Sequence, residues 1–341
     1  TFSDFDFDGS NFSVLIDTLA YNTYITAFNS NMVVNESFLD SATLRQNVVS
    51  LAGNIGYTPR SKTAANAQVS FTVSVNPLLS SVTLKEGLVC TGDVDNETYT
   101  FAITEPISTT VVDGKANFEN VNIYQGTYLE QEFTYDGSLD QRFILNNDSI
   151  DASKIVVFVK PSGEESEGID GVEYTLVDNI VNIDSESKIF LLNEIQDERY
   201  ELKFGDGFFG KKLGSETGDD GDLIKVKYIV TDGEDGNGAQ SFTFSGKLES
   251  NKEPVSITED VIVNTIVKAQ NGGNIEPIDS IKYFSPIYYA AQNRAVTARD
   301  YEAIIKKIYP NTESVSVIGG EELDPPEFGT VAISIKPKNG D

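Results

Sequence analysis

Short segments with alternating apolar and polar residues run through the chain from residue 67 onward. The clearest is Ala67–Val75, where Val69, Phe71 and Val73 alternate with serine and threonine. Glycine, proline or Asn-Asp turn residues separate most of these segments. A period of two is that of a strand with one buried face, and short strands at this spacing are typical of antiparallel sandwiches or barrels. We therefore predict a β-rich middle region built of antiparallel modules.

The stretch Lys203–Gly238 (KFGDGFFGKKLGSETGDDGDLIKVKYIVTDGEDGNG) has the pattern of strand, glycine-rich turn, strand and second turn. Within it, Leu223–Val230 alternates apolar residues with Lys225 and Lys227. We predict a half-buried β-hairpin with acidic turns, because glycine and aspartate are the residues that turns require. At the tip, Phe208 and Phe209 form either an exposed contact or a plug that folds back, and the sequence leaves both possibilities open.

Composition excludes several classes of function. The formal net charge is −28, from 53 acidic and 25 basic residues spread along the chain, which disfavours binding to nucleic acid or to anionic membranes and favours a basic partner. Cys90 is the single cysteine, so an intrachain disulfide is excluded, and no run of 18 uncharged apolar residues exists. Histidine is absent, which removes the commonest general base and ordinary zinc sites. Any catalysis would have to rest on carboxylates, lysine, tyrosine or Cys90; together with the helix and the resemblance described below, this leads us to predict no enzyme activity and no cofactor.

The N-terminal region predicts a helix from Ser10 or Asn11 to about Met32 that carries two apolar stripes instead of one. A surface helix of a globular domain usually shows a single stripe, so two stripes indicate a helix that is either buried in its own domain or packed against other chains. The pattern leaves these alternatives open. Seven residues of the stripes are candidates for subunit contacts: Phe12, Leu15, Leu19, Tyr21, Ile25, Phe28 and Met32.

Three further helices are predicted. The second begins at Asp40 or Ser41, ends at about Asn54, and forms with the first a helical hairpin too small to be stable alone. The third covers Glu276–Ala291, and Pro286 should kink or break it. The fourth covers Ala298–Ile308, with a capping box of Thr297 and Asp300 at its start.

Together these patterns predict an α+β chain with an N-terminal helical hairpin, antiparallel β-rich middle modules and a C-terminal mixed α/β domain that is truncated at its end. The predicted boundaries are 1–62 for the helical segment, 63–253 for the β-rich domain with a possible division near 150, and 254–341 for the mixed domain. The last is expected to be incomplete.

Three stretches resemble the baseplate J-like family of contractile tails, and within it the inner baseplate wedge proteins of T-even-like phages. They are Leu15–Asn22 with Glu36–Ser61, the FGDGFFG…TDGEDGNG unit, and Ala291–Pro310. The resemblance implies a structural subunit of the virion tail baseplate that is assembled in the host cytoplasm and couples baseplate rearrangement to sheath contraction. It also implies that the N-terminal helix enters a helical bundle between subunits. The implied partners are other wedge and hub proteins and further copies of the chain, with no nucleic acid and no membrane.

Two alternatives remain from the residues alone. A β-rich carbohydrate-active enzyme would use a pair of carboxylates, but the acidic pairs Glu164–Glu165, Asp219–Asp220 and Glu321–Glu322 lie in predicted loops. A calcium-dependent carbohydrate-binding module would use loop aspartates, although the residue order of a known calcium loop is missing. Its candidate ligands are Asp219, Asp220 and Asp222, or Asp232 and Asp235.

The arginines are few, and four of them stand out as possible partners of carboxylates. We expect pairing within the chain to be favoured over pairing with a neighbouring subunit. The four are Arg45, Arg60, Arg294 and Arg299.

Overall fold

The computed structural model describes residues 11–138, 140–161, 171–177, 183–214, 221–292, 294–309 and 312–338. Its helices are α1 (Asn11–Glu36), α2 (Arg45–Asn54), α3 (Ile278–Ala291) and α4 (Ala298–Ile308). Most strands are antiparallel and short, as the alternation predicts, and the α+β class is confirmed.

The strands fall into four consecutive groups along the chain. The first group is β1 (Asn66–Ser74), β2 (Ser81–Leu84), β3 (Gly87–Val94), β4 (Glu97–Ile103), β5 (Ile107–Val112) and β6 (Lys115–Gln125). The second is β7 (Thr127–Thr134), β8 (Phe143–Ile144), β9 (Val156–Lys160), β10 (Val172–Leu176), β11 (Ile189–Glu194), β12 (Tyr200–Phe204) and β13 (Leu223–Val230). The third is β14 (Phe242–Phe244), β15 (Leu248–Ser250), β16 (Glu253–Val255) and β17 (Val263–Gln270), and the last is β18 (Thr312–Gly319) with β19 (Val331–Pro337).

The first sheet combines the first and third groups in the order β14-β3-β4-β6-β5-β2-β15-β16, with β1 paired between β6 and β17. Its core confirms the alternation in Ala67–Val75, because Val69, Phe71 and Val73 are all buried. Since β17 pairs with β1, strands from both sides of the predicted boundary at residue 253 share one sheet. The domain limits themselves stay a prediction.

The second sheet has the order β7-β13-β9-β10-β11-β12-β8 and its own core. Its end strands approach one another, and the Gln131 side chain links them by donating to the carbonyl of Ile144 (3.1 Å) and accepting from the amide of Asn146 (3.1 Å). The Gln131 side chain thus supplies hydrogen bonds between β7 and β8, which are not paired with each other in the sheet.

A third core lies among the helices. Val48 and Ala52 of α2 pack with Ile281 and Phe284 of α3 and with Ala303 of α4. Helix α2, which is too small to be stable alone with α1, therefore packs against α3 and α4. These helices follow it by more than two hundred residues in sequence.

The predicted hairpin within Lys203–Gly238 is wrong. The strand at its start, β12, pairs with β11 and β8, whereas β13 pairs with β7 and β9. The connection between β12 and β13 spans residues 205–222, far longer than a hairpin turn, and lets β13 reach different neighbours. The half-buried character of β13 is confirmed, since its buried residues alternate with partly exposed ones over most of its length.

The β10–β11 pair is parallel, an exception to the predicted antiparallel pairing. Residues 177–188 connect the two strands, and a connection of a dozen residues is long enough for the crossover that parallel strands require.

The end of α1, the beginning of α2 and the effect of Pro286 differ from the predictions. Helix α1 continues beyond Met32 to Glu36, and α2 begins at Arg45 instead of Asp40 or Ser41, because the Ser41 hydroxyl donates to the carbonyl of Asn35 and so holds the turn after α1. Pro286 does not break α3, which continues to Ala291. This proline is exposed, so the carbonyl it leaves without a donor can face water.

Candidate assembly surface

Helix α1 has a composition that suits a long uninterrupted helix with little charge. Its 26 residues contain neither glycine nor proline, and Asp17 and Glu36 are its only charged residues. At about 1.5 Å per residue the helix extends for about 39 Å. In the part of the chain that the structure describes, no helix is long and apolar enough to cross a membrane.

Several hydroxyl groups of α1 bond back to the helix itself. Each donates to the carbonyl four residues earlier at 2.7–2.8 Å, and the donors are Thr18, Thr23, Thr26 and Ser30. Ser37, the residue after the helix, donates in the same way to Val33 (2.7 Å). A hydroxyl satisfied in this way can be buried against another protein without losing a hydrogen bond.

The predicted contact residues of α1 lie on the molecular surface. Six of the seven have exposed fractions between 41% and 68%, and Ile25 is half-buried; the six are Phe12, Leu15, Leu19, Tyr21, Phe28 and Met32. No residue of α1 belongs to any of the three cores of the described residues. The described part of the chain therefore leaves this apolar surface uncovered, so α1 is not buried in its own domain; packing against other chains stays a prediction.

The two apolar stripes lie on different sides of α1 and on different halves of its length. At about 100° per residue, Phe12, Leu15 and Leu19 lie on one side of the first half of the helix. The residues from Tyr21 to Met32 are centred about 140° away, on the second half. A single flat partner cannot cover both stripes, so the geometry suits two neighbours staggered along the helix.

A carboxylate fixes the direction in which α1 leaves the molecule. Glu36, the last residue of α1, accepts hydrogen bonds from the amide and hydroxyl of Thr43 (2.8 and 2.7 Å), the amide of Leu44 (3.2 Å) and the Asn47 side chain (2.8 Å). These donors lower the pKa of Glu36 from 4.5 to about 2. The end of α1 is thereby tied to the beginning of α2.

Arg45 in turn fastens α2 to the second sheet. Its guanidinium binds the Glu194 carboxylate in a bidentate pair, at 2.6 Å from Nε to Oε1 and 3.1 Å from Nη2 to Oε2, and Nη1 also donates to the backbone carbonyl of Glu276. Both side chains are largely buried, at 16% and 5% exposure. Burial raises the pKa of Glu194, and Arg45 opposes that increase.

The segment between α2 and β1 joins all three cores through buried carboxylates. Glu276 accepts from the Tyr57 hydroxyl (2.8 Å) and the Arg60 amide (3.0 Å). Asp151 accepts from the amide of Ala64 (2.8 Å), and its pKa is raised by burial. These hydrogen bonds connect the three cores beneath the end of α1.

The other residues singled out from the sequence take several positions. Arg45 pairs within the chain, as expected, whereas Arg60 and Arg294 donate to the oxygens of Asn274 and Gln292 instead of to carboxylates. Phe208 and Phe209 are exposed by 82% and 49% and do not fold back. The Asp206 carboxylate accepts from both of their amides at 2.8 Å.

The predicted calcium ligands do not form a cluster among the described residues. No group of three or more acidic or cysteine side chains suited to a metal ion occurs there. Asp222 instead accepts from the amide of Gly214 (2.8 Å), and Asp232 accepts from the Gln125 side chain (2.7 Å). Asp219 and Asp220, and the acidic pair Glu164–Glu165, lie outside the described residues.

The ends of the chain match models of known protein families. Residues 1–57 match the helical domain of baseplate wedge proteins described as gp6-like, and residues 297–341 match C-terminal domain I of baseplate structural protein gp6. The first match contains α1 and α2 together with their Glu36 joint.

A curated relative extends the similarity to the whole chain. Over 354 aligned positions the chain is 29% identical to baseplate wedge protein gp6 of Enterobacteria phage T4. The chain is similar to baseplate wedge proteins. The alignment covers 99% of this chain and 51% of the wedge protein, so the chain spans about half the length of that relative.

A solved structure, the cryo-EM structure of the anti-feeding prophage baseplate, gives a TM-score of 0.29 at 11% identity. It covers 90% of this chain and 55% of the other. This degree of structural similarity supports no conclusion about the chain.

The two stripes of α1 were predicted from the sequence, but the hydrogen bonds that attach the helix to the rest of the chain were not. Glu36, Glu194 and Glu276 carry no local signal, because their donors lie in other elements. A four-residue capping pattern, in contrast, is visible in the sequence, and the box of Thr297 and Asp300 is confirmed.

Proposed function

We propose that the chain is a structural subunit of a contractile-tail baseplate wedge and that α1 joins a helical bundle with neighbouring chains. The observation that carries the proposal is the uncovered apolar surface of α1, which lies on two sides of the helix. The end of this helix is anchored by the hydrogen bonds of Glu36. The similarity to a baseplate wedge protein over 99% of the chain supports the assignment.

In this role the chain belongs to the virion tail baseplate and is assembled in the host cytoplasm. Its partners are other wedge and hub proteins and further copies of itself, and it couples baseplate rearrangement to sheath contraction. The finer classification as a baseplate J-like protein is part of the proposal. Helix α1 supplies contact area and no chemistry, so the function requires neither a catalytic residue nor a cofactor.

The test substitutes each stripe separately in the full chain. One variant carries Leu15→Gln and Leu19→Gln, and the other carries Ile25→Gln and Phe28→Gln. The control carries Asn22→Gln and Asn29→Gln, and glutamine keeps the helix propensity similar throughout. Each protein is co-expressed with neighbouring wedge proteins, and the complexes are measured by size-exclusion chromatography with light scattering.

The wild-type and control proteins should assemble, and each stripe variant should bind its neighbour at least about tenfold more weakly, because buried apolar anchors dominate interfaces. Melting temperatures of the isolated chains should change little, since Leu15, Leu19 and Phe28 are already exposed and Ile25 is only half-buried. A wild-type chain that stays monomeric in the presence of the neighbouring wedge proteins contradicts the proposal. So do stripe variants that assemble as well as the control.

A further inference from the structure

A cleft of about 940 Å³ separates the helices from the second sheet. Its walls are formed by α2, the segment that follows it, β12 and the end of α4. The volume is at the upper end of the range for ligand-binding sites. The cleft lies apart from the exposed stripes of α1, and none of its lining residues belongs to that helix.

The carboxylates in the cleft walls already have donors. Glu194 is paired with Arg45, Glu201 accepts from Arg142, and the donors to Asp151 and Glu276 are described above. These acids are therefore neutralised or solvated by the chain itself and contribute little free acceptor capacity to the cleft.

The basic residues of the cleft have no carboxylate partner among the described residues, although Arg60 donates to the carbonyl of Asn274 (3.2 Å) and Lys307 donates to the hydroxyl of Tyr288 (3.2 Å). Arg60, Lys203, Lys306 and Lys307 line the cleft, and no described carboxylate lies within ion-pair distance of any of them. Lys306 and Lys307 are positioned over aromatic rings, with Nζ 4.8 Å from the ring centroid of Phe284 and 4.3 Å from that of Tyr288. The lining thus holds four basic residues and four carboxylates, whereas acidic residues outnumber basic ones by 53 to 25 in the whole chain.

Two buried donors in the same walls have no acceptor among the described residues. They are the hydroxyl of Tyr200, a residue only 5% exposed, and Nε of Arg60. Burial raises the pKa of Tyr200, so its hydroxyl keeps its proton. A buried donor without a partner is costly, and a group that only accepts hydrogen bonds would satisfy both.

We propose that this cleft binds an Asp- and Glu-rich segment of a neighbouring protein. Carboxylates accept hydrogen bonds and form charge-assisted pairs with lysine and arginine, which matches the bases that lack a carboxylate partner and the two buried donors that lack an acceptor. Such a segment would connect the helices and the second sheet at the joint that Arg45 bridges. This contact is independent of the contacts of α1.

The test measures binding of a fluorescein-labelled hexaglutamate peptide to the full chain by fluorescence anisotropy at about 50 mM salt, where screening is modest. The neutral peptide hexaglutamine is the ligand control. The cleft variant carries Lys306→Gln and Lys307→Gln. The protein control carries Lys85→Gln and Lys247→Gln, two residues that adjoin on the first sheet, with the Lys85 amide 2.9 Å from the Lys247 carbonyl.

Hexaglutamate should bind saturably and hexaglutamine should not. The cleft variant should bind at least about tenfold more weakly, and the control variant should bind within about twofold of wild type. If the cleft variant is unstable, Lys203→Gln on β12 replaces it with the same expectation. The proposal is overturned if hexaglutamate does not bind, or if both lysine pairs weaken binding equally.

Discussion

At the scale of single residues, Glu36 decides how α1 is oriented. A carboxylate that accepts from Thr43, Leu44 and Asn47 is a stronger joint than a flexible turn, because each donor comes from a different position at the start of α2. The lowered pKa of about 2 expresses the same preference for the charged form.

Substitution of Glu36 by glutamine should loosen this joint, because an amide nitrogen cannot accept from Leu44 and Asn47. Hydrogen exchange of the Leu44 amide should become at least about fivefold faster at neutral pH. A matched Glu119→Gln substitution on the exposed face of β6 should leave that amide unchanged.

The contribution of Glu36 should also depend on pH in a defined direction. Because its pKa is lowered in the folded chain, its stabilising effect is present above the ordinary value of 4.5 and is lost as the pH falls toward about 2. The NMR shift of the Leu44 amide should therefore titrate with a midpoint near 2. A midpoint near 4.5 would show that the carboxylate is free.

Arg45→Met should destabilise the chain by about 3 kcal/mol, because it leaves Glu194 buried without its partner. Adding Glu194→Leu should recover most of the loss. The control, Lys336→Met, breaks the exposed pair with Glu313 and should cost less than about 1 kcal/mol. Urea denaturation measures the free energy of unfolding of all three variants. Equal losses of stability in Arg45→Met and Lys336→Met would contradict a buried pair of Arg45 and Glu194.

At the scale of elements, Gln131 contributes two hydrogen bonds that join the end strands of the second sheet, beside the edge-to-face contact of Phe133 with Phe143. Gln131→Leu should remove both backbone contacts and lower the free energy of unfolding by about 1–2 kcal/mol. Gln240→Leu, at an exposed position in the segment before β14, should change it by less than about 0.5 kcal/mol. Urea denaturation should separate the two variants. If they are equally stable, the hydrogen bonds of Gln131 are not needed, and the Phe133–Phe143 contact is enough to join β7 to β8.

Elements with a local signal were predictable, and pairings between distant strands were not. The alternation in β1 and the capping box of α4 depend on neighbours in sequence, so both were found. The pairing of β13 with β7 and β9 depends on the path of a long loop, which leaves no periodicity. The two stripes of α1 were visible for the same reason as β1, but whether the rest of the chain covers them depends on packing at long range.

At the scale of the whole molecule, Cys90 gives a reporter for opening of the first core. The residue is fully buried, and burial raises the pKa of its thiol to about 12. Native protein should therefore react with iodoacetamide on the order of a thousandfold more slowly than protein unfolded in urea. Fast reaction of the native chain would mean that the first sheet opens separately from the rest.

The hydroxyls of α1 that bond back to their own helix have a consequence for how the molecule distinguishes its neighbours. A serine or threonine whose hydroxyl is already satisfied leaves no unmatched polar group against a wrong partner, so these positions contribute little to selectivity. Discrimination is left to the shapes of Phe12, Leu19, Tyr21 and Phe28 and to the exposed asparagines of the helix. We expect a partner to tolerate exchanges between serine and threonine along α1 and to reject changes in the size of these rings and branched side chains.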